Sequence, residues 1–98
     1  MAEPTPVRVG LLGVGGIARH HIGQLKNIPG VTVTALCDID PAANERARAT
    51  FPDYLAGATD CTEAELFARD DVDAVQIGTP HTLHFEQANR AIDAQKHV

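Results

Sequence analysis

Apolar residues dominate Val7 to Leu12, VRVGLL, a run that reads as a buried strand and breaks at Gly13-Val14-Gly15-Gly16. From Ile17 the period lengthens. Ala18, Ile22 and Leu25 recur at spacings of four and three, with Ile28 continuing the stripe, as on one face of a helix. Pro29-Gly30 ends that helix. Val31 to Cys37, VTVTALC, is rich in β-branched residues and reads as a second strand. Pro41 stands at the favoured first position of a helix predicted to run to about Thr50. Phe51 to Asp60 is weakly patterned and leaves room for a short third strand. Thr62-Glu63-Ala64-Glu65 fits a capping box that opens a short helix containing Leu66 and Phe67. Val72 to Thr79 is the next apolar strand. Thr82 to Gln95 is the last helix, with Phe85, Ala88 and Ile92 on one stripe.

The predicted order is β-α-β-α-(β)-α-β-α, with strands apolar on both faces. That pattern calls for a parallel sheet covered by helices on both sides, a doubly wound α/β fold of the Rossmann type. The 98 residues suit one domain, preceded by a short lead-in at residues 1–6 that is expected to be disordered. A net charge of -5 argues against nucleic acid or an anionic membrane surface as partner. No apolar run approaches a membrane span, and the first residues do not resemble a secretory signal. Cys37 and Cys61 form no CxxC pair, and Cys37 reads as a buried thiol. A soluble, cytoplasmic domain is the expectation.

Gly13-Val14-Gly15-Gly16-Ile17-Ala18 matches G-x-G-x-x-A between a strand and a helix, a form of the dinucleotide fingerprint. The first glycine permits the tight turn, the second lets a pyrophosphate approach the backbone, and Ala18 allows close helix–strand packing. Phosphates are favoured at the helix N-terminus by free N–H groups and the dipole. A chance flexible turn is the bland alternative. Asp38, 20 positions beyond Ala18 at the end of the second strand, makes the combination specific, because the fingerprint needs an acceptor there for the adenosine ribose. A carboxylate accepts from a 2′-hydroxyl and repels a 2′-phosphate, and no Arg or Lys follows until Arg46. NAD is therefore expected over NADP. Asp40 is read as the cap of the helix at Pro41.

Gly78-Thr79-Pro80-His81-Thr82-Leu83-His84 leaves the fourth strand for the last helix. In a doubly wound sheet that strand lies beside the first, on the side away from the second, and ligands bind in the crevice at this reversal. Thr79 and Pro80 are expected to line the nicotinamide side, with His81 and His84 facing it. The structural alternatives are a Thr79 or Thr82 cap and a packed, hydrogen-bonded His84. His81 and His84 lack a carboxylate or cysteine at ligand spacing, so no metal is expected. His21 is read as flanking the packed face of the first helix, and His20 as solvated.

The stretches VRVGLLGVGGIARHH, VTVTALCDID, DVDAVQIGTPHTLH and AIDAQKHV resemble, in order and spacing, the N-terminal domain of the glucose–fructose oxidoreductase / inositol dehydrogenase family, written Gfo/Idh/MocA. The resemblance covers nearly the whole chain. It implies an NAD(P)-dependent oxidoreductase that passes hydride between nicotinamide and a sugar, cyclitol or related polyol. By matching position, Gly13, Gly15, Gly16 and Ile17 hold the pyrophosphate and Asp38 the ribose. Thr79, Pro80, His81 and His84 line the nicotinamide half. The family's usual Asn after Thr-Pro is His81 here. Its Gly before Lys-His-Val is Gln95, which predicts a helix end of another kind, since a left-handed non-glycine costs about 1–2 kcal/mol.

The resemblance also makes His97 and Val98 the opening of a fifth strand that leads into Glu-Lys-Pro, whose lysine is the family's catalytic residue. On that reading residues 1–98 are a partial cofactor domain, incomplete at its C-terminal side and without the substrate domain. No catalytic residue is then assigned among them, and the 98 residues alone are expected to be inactive. A stand-alone nucleotide-binding or sensing module is the main alternative, and a partner-dependent structural domain is the third. An uncovered edge of the fourth strand predicts self-association or marginal stability.

Overall fold

The strands β1 (Val7–Leu12), β2 (Val31–Cys37), β3 (Thr59–Asp60) and β4 (Ala74–Ile77) form one parallel sheet in the order β3-β2-β1-β4. The computed structural model describes residues 7–79 and 81–98, so the lead-in at residues 1–6 and Pro80 lie outside the described residues. Helices α1 (Gly16–Leu25), α2 (Pro41–Thr50), α3 (Glu63–Ala68) and α4 (His81–Asp93) connect and follow the strands. The doubly wound parallel α/β fold is thus the observed one, with β4 beside β1 and away from β2.

Side-chain alternation along the strands divides the interior in two. Val9, Leu11, Val33 and Leu36 pack with Ile22 of α1 and with Ala43 and Ala47 of α2. Leu12, Ala35, Cys37 and Val75 pack on the other face with Leu66 of α3 and Ala91 of α4. Val33 and Leu36 share a face although they stand three positions apart. The pairing passes from Val9↔Val33 to Gly10↔Ala35, so Thr34 is an extra residue, and this bulge resets the alternation. The Thr34 hydroxyl then reaches out of the ladder to donate to the Asp71 carbonyl at 2.7 Å.

Caps account for the helix boundaries. The Asp40 carboxylate accepts from the Ala42 N–H at 3.0 Å ahead of Pro41, as the sequence predicts. Thr62 and Glu65 close the reciprocal capping box of α3. β1 and β4 are also tied at their starts, where Arg8 donates to both Asp73 oxygens at 2.9 and 3.0 Å.

Several expectations are corrected. Ile28 is exposed, because α1 ends at Leu25 and the chain turns before reaching it. The regular part of the fourth strand is shorter than predicted, since Asp73 faces Arg8 and Gly78 enters the turn. On α4 the expected stripe is rotated. Phe85 and Ile92 are 82% and 62% exposed, while Gln87 and Ala91 are buried. The helix end at Gln95 keeps the left-handed form despite the missing glycine. Gln95 has φ +62°, its N–H bonds the Ile92 carbonyl at 2.9 Å, and the Lys96 N–H bonds that of Ala91 at 2.9 Å. These two bonds are the Schellman arrangement, and it turns the chain back toward the sheet. His97 then bridges in parallel to β4, accepting from Val75 N–H at 2.7 Å and donating to the Asp73 carbonyl at 3.0 Å. Among the described residues, no helix is long and apolar enough to cross a membrane.

Candidate functional site

Beyond the carboxyl ends of β1, β2 and β4 opens a cleft of about 570 Å³. Gly13, Gly15, Asp38, Ile39, Gly78 and Thr79 line it, together with Cys61, Thr62, Glu63, Leu83 and Gln87. Its position is the reversal point between β2 and β4 on either side of β1.

Each small residue of the turn has a separate task. Gly13 adopts φ +91°, and its N–H donates to the Cys37 carbonyl at 2.8 Å. A Cβ on Gly13 would stand 2.7 Å from the Gly78 carbonyl carbon, so only glycine fits on both conformational and steric grounds. A Cβ on Gly78 would meet the Ala18 methyl at 3.4 Å, which explains the need for a small residue at position 18. Gly15 and Gly16 differ in kind. Cβ atoms added there meet nothing within 4 Å, so their missing side chains leave open room above the helix end. Gly15 is the N-cap of α1 but supplies no side-chain cap, and the first turn holds no acidic residue. The first N–H groups of α1 therefore point at that room without a side-chain acceptor, an arrangement suited to an anion. The backbone of Ile17 belongs to this turn, but its side chain lies outside the described residues, as do those of His81 and Thr82.

Asp38 stands directly beside the glycine turn. Its Oδ2 accepts from the Val14 N–H at 2.8 Å, and its Oδ1 accepts from the Asp40 N–H at 2.9 Å. A carboxylate offers about four acceptor positions, so both oxygens keep capacity for a hydroxyl donor. The nearest cation in sequence is diverted, since Arg46 pairs with Asp40 at 3.7 Å. Ile39, fully exposed, forms an apolar shelf next to the carboxylate.

On the other side, Thr79 is held twice. Its hydroxyl donates to Gln87 Oε1, and its carbonyl accepts from His84 Nε2. His84 is thus a packed, hydrogen-bonded histidine, and it borders a neighbouring apolar hollow of about 470 Å³ with Val9, Leu25, Ala74 and Ala88. His21 flanks the buried face of α1 and bonds Gln76, and His20 is exposed. Cys37 is buried, and desolvation raises its thiol to about 11. Sequence reasoning missed Gln87 and Ile39. Gln87 stands four residues before the buried Ala91, a spacing that marks its face, but its polarity hides it from any search for apolar residues. Ile39 was findable as an apolar residue just outside a strand, between two aspartates.

The model of the oxidoreductase family with an NAD-binding Rossmann fold, GFO_IDH_MocA, matches residues 7–98. A glycosyl hydrolase family 109 protein from Shewanella amazonensis is 40% identical, over 100% of this chain and 22% of its own length. A 4-carboxy-2-hydroxymuconate-6-semialdehyde dehydrogenase from a Sphingobium species is 37% identical, over 94% of this chain and 28% of its own. Among solved structures, myo-inositol dehydrogenase from Lactobacillus casei in complex with NAD(H) and myo-inositol superposes with a TM-score of 0.84. It is 32% identical, covering 94% of this chain and 27% of that one. KijD10, a 3-ketoreductase from Actinomadura kijaniata in complex with NADP and TDP-benzene, gives a TM-score of 0.82 at 34% identity, over 96% of this chain and 28% of that one. The chain therefore spans less than a third of the length of these relatives.

Proposed function

The chain belongs to the Gfo/Idh/MocA family of oxidoreductases as its NAD-binding Rossmann domain, and from that premise we propose how its cleft holds the cofactor. The pyrophosphate is cradled by Gly13, Gly15, Gly16 and the backbone of Ile17. Asp38 accepts from the adenosine ribose, and the adenine lies on the Ile39 shelf. Thr79, Pro80, His81 and His84 line the nicotinamide half. The observation that carries this reading is the open space at Gly15 and Gly16 over an uncapped helix N-terminus, with Asp38 bonded to the same turn. NAD is preferred to NADP, because a 2′-phosphate would meet Asp38 while Arg46 is occupied by Asp40.

In the whole protein, the cofactor exchanges a hydride with a sugar, cyclitol or related polyol. The residues of this chain bind and orient it. The acid–base catalyst and the substrate-reading residues lie in the remaining length that the relatives possess, so residues 1–98 alone bind without turnover. Calorimetric titration of NAD and NADP into the chain and its Asp38→Asn variant tests the assignment. Asparagine keeps an acceptor for Val14 N–H but removes the charge. The expected result is NAD binding weakened about tenfold or more, with the discrimination against NADP reduced. Equal NAD affinity in both proteins would overturn the role of Asp38. A nucleotide-sensing module without catalysis is the second reading, favoured if the full-length protein binds NAD but reduces it with no polyol.

A further inference from the structure

Cys37 and Cys61 lie side by side at the adenosine end of the cleft. The pairing Ala35↔Thr59 and Leu36↔Asp60, continued by one step, sets Cys37 opposite Cys61. The Cys61 N–H donates to the Leu36 carbonyl at 2.9 Å, the bond that this register requires. Both side chains belong to the same sheet face, packed in the cluster of Leu12, Leu66 and Val75. Both line the cleft, and neither is cross-linked. Neighbouring strands stand about 4.8 Å apart, within the roughly 4.4–6.8 Å Cα separation of a disulfide. Cys61 lies just past the two-residue β3, and its N–H bond to Leu36 holds it beside Cys37.

We propose that Cys37 and Cys61 are a reversible thiol–disulfide site, oxidised by a low-molecular-weight disulfide, and that the resulting cystine closes the adenosine half of the cleft to the dinucleotide. Cys61, half-buried, is the entry point, and Cys37, 7% exposed, resolves the intermediate. The Cys61 thiolate attacks one sulfur of the small disulfide, whose S–S bond breaks to release one thiolate. The Cys37 thiolate then attacks Cys61 Sγ and expels the second. Two protein thiols are oxidised, one external disulfide is reduced to two thiols, and the two protons pass from the cysteines to the released thiolates. The bridge draws the start of α3, with Thr62, toward Asp38 and Ile39. Burial raises both thiols, Cys37 to about 11. Asp38 of the β2 end and Glu63 and Glu65 of α3 add negative charge around Cys37. Asp60, Glu65 and Asp71 do so around Cys61, which Arg69 opposes. Exchange is therefore slow near neutrality and quickens as pH rises.

The closing effect rests on the dinucleotide reading of the cleft, and the test separates the two. The 98-residue chain is incubated with oxidised glutathione at about pH 8.5 and weighed by intact mass spectrometry. A species lighter by about two hydrogens is expected, reversed by dithiothreitol and absent from Cys37→Ser and Cys61→Ser. Calorimetry of the oxidised chain should show NAD affinity at least about tenfold below that of the reduced chain. A mixed disulfide that persists on Cys61 without the lighter species overturns the proposal. So does an oxidised chain that binds NAD as the reduced one does. If the reduced chain itself binds no NAD, the cofactor reading and the closing effect fail together, while the mass change still reports on the cysteine pair.

Discussion

Gly13 and Gly78 meet backbone to backbone, so close that a Cβ on Gly13 would stand 2.7 Å from the Gly78 carbonyl carbon and 2.9 Å from the Thr79 nitrogen. This contact joins the glycine turn after β1 to the loop after β4. Gly13→Ala is expected to destabilise the fold by about 2–5 kcal/mol, from left-handed strain together with overpacking. Gly16→Ala, in open space at the start of α1, should leave stability equal or slightly raised yet impair NAD binding. Urea unfolding and calorimetry on the two variants check this separation of folding from binding.

Gln95 holds a left-handed conformation that glycine adopts without strain. Gln95→Gly relieves about 1–2 kcal/mol of strain, and the extra freedom of the unfolded glycine returns part of it. The expected gain is about 0.5–1 kcal/mol, or a few degrees in Tm by thermal melting. Gln95→Val should move the melt in the opposite direction.

Asp73 accepts three bonds from Arg8, and this guanidinium and backbone donation holds its carboxyl down from the usual 3.8 to about 2. A depressed folded-state value means that its stabilising effect is complete above about pH 3.8 and is lost as pH falls through 2. Asp73→Asn should remove that part of the acid dependence in this window, followed by circular dichroism during acid titration.

Gln87, 7% exposed, holds the Thr79 hydroxyl at the cleft. Gln87→Leu leaves that hydroxyl without its acceptor, at a cost of about 1–2 kcal/mol, and should weaken NAD binding several-fold. A double-mutant cycle with Thr79→Val checks the assignment. The second change should cost much less once the first is made, with a coupling of about 1 kcal/mol.

Local signals made most of the frame legible. VRVGLL and VTVTALC matched their strands residue for residue, because strands buried on both faces need uninterrupted apolar runs. Asp40-Pro41 and Thr62-x-x-Glu65 marked helix starts because capping is decided within four residues. Failures came where distant contacts decide. Thr59 and Asp60 are both exposed polar residues, and only pairing with β2 makes them a strand. On α4, Phe85 and Ile92 carried the apolar signal, but the helix is set down on Gln87 and Ala91. The glycine turn was recognisable from its spacing, whereas the approach of Gly13 to Gly78 joins residues 65 positions apart and leaves no local trace. His84 hydrogen-bonds the Thr79 carbonyl, a contact that no local sequence signal marks.

Leu11 and Leu12, neighbours on β1, belong to opposite interiors. The strand is therefore a partition that both halves of the chain must find, and this bears on the order of assembly. Val9 pairs with Val33 across 24 residues and with Ala74 across 65. The difference in loop-closure entropy is only about 0.9 kcal/mol, so chain length alone hardly orders the two events. Synthesis does, since β2 leaves the ribosome long before β4. During translation β1 and β2 with α1 can pair first, their second face open to water until β4 arrives. The cleft, which needs Gly78 against Gly13, is then completed only when β4 arrives, so a nascent chain acquires it together with its second core.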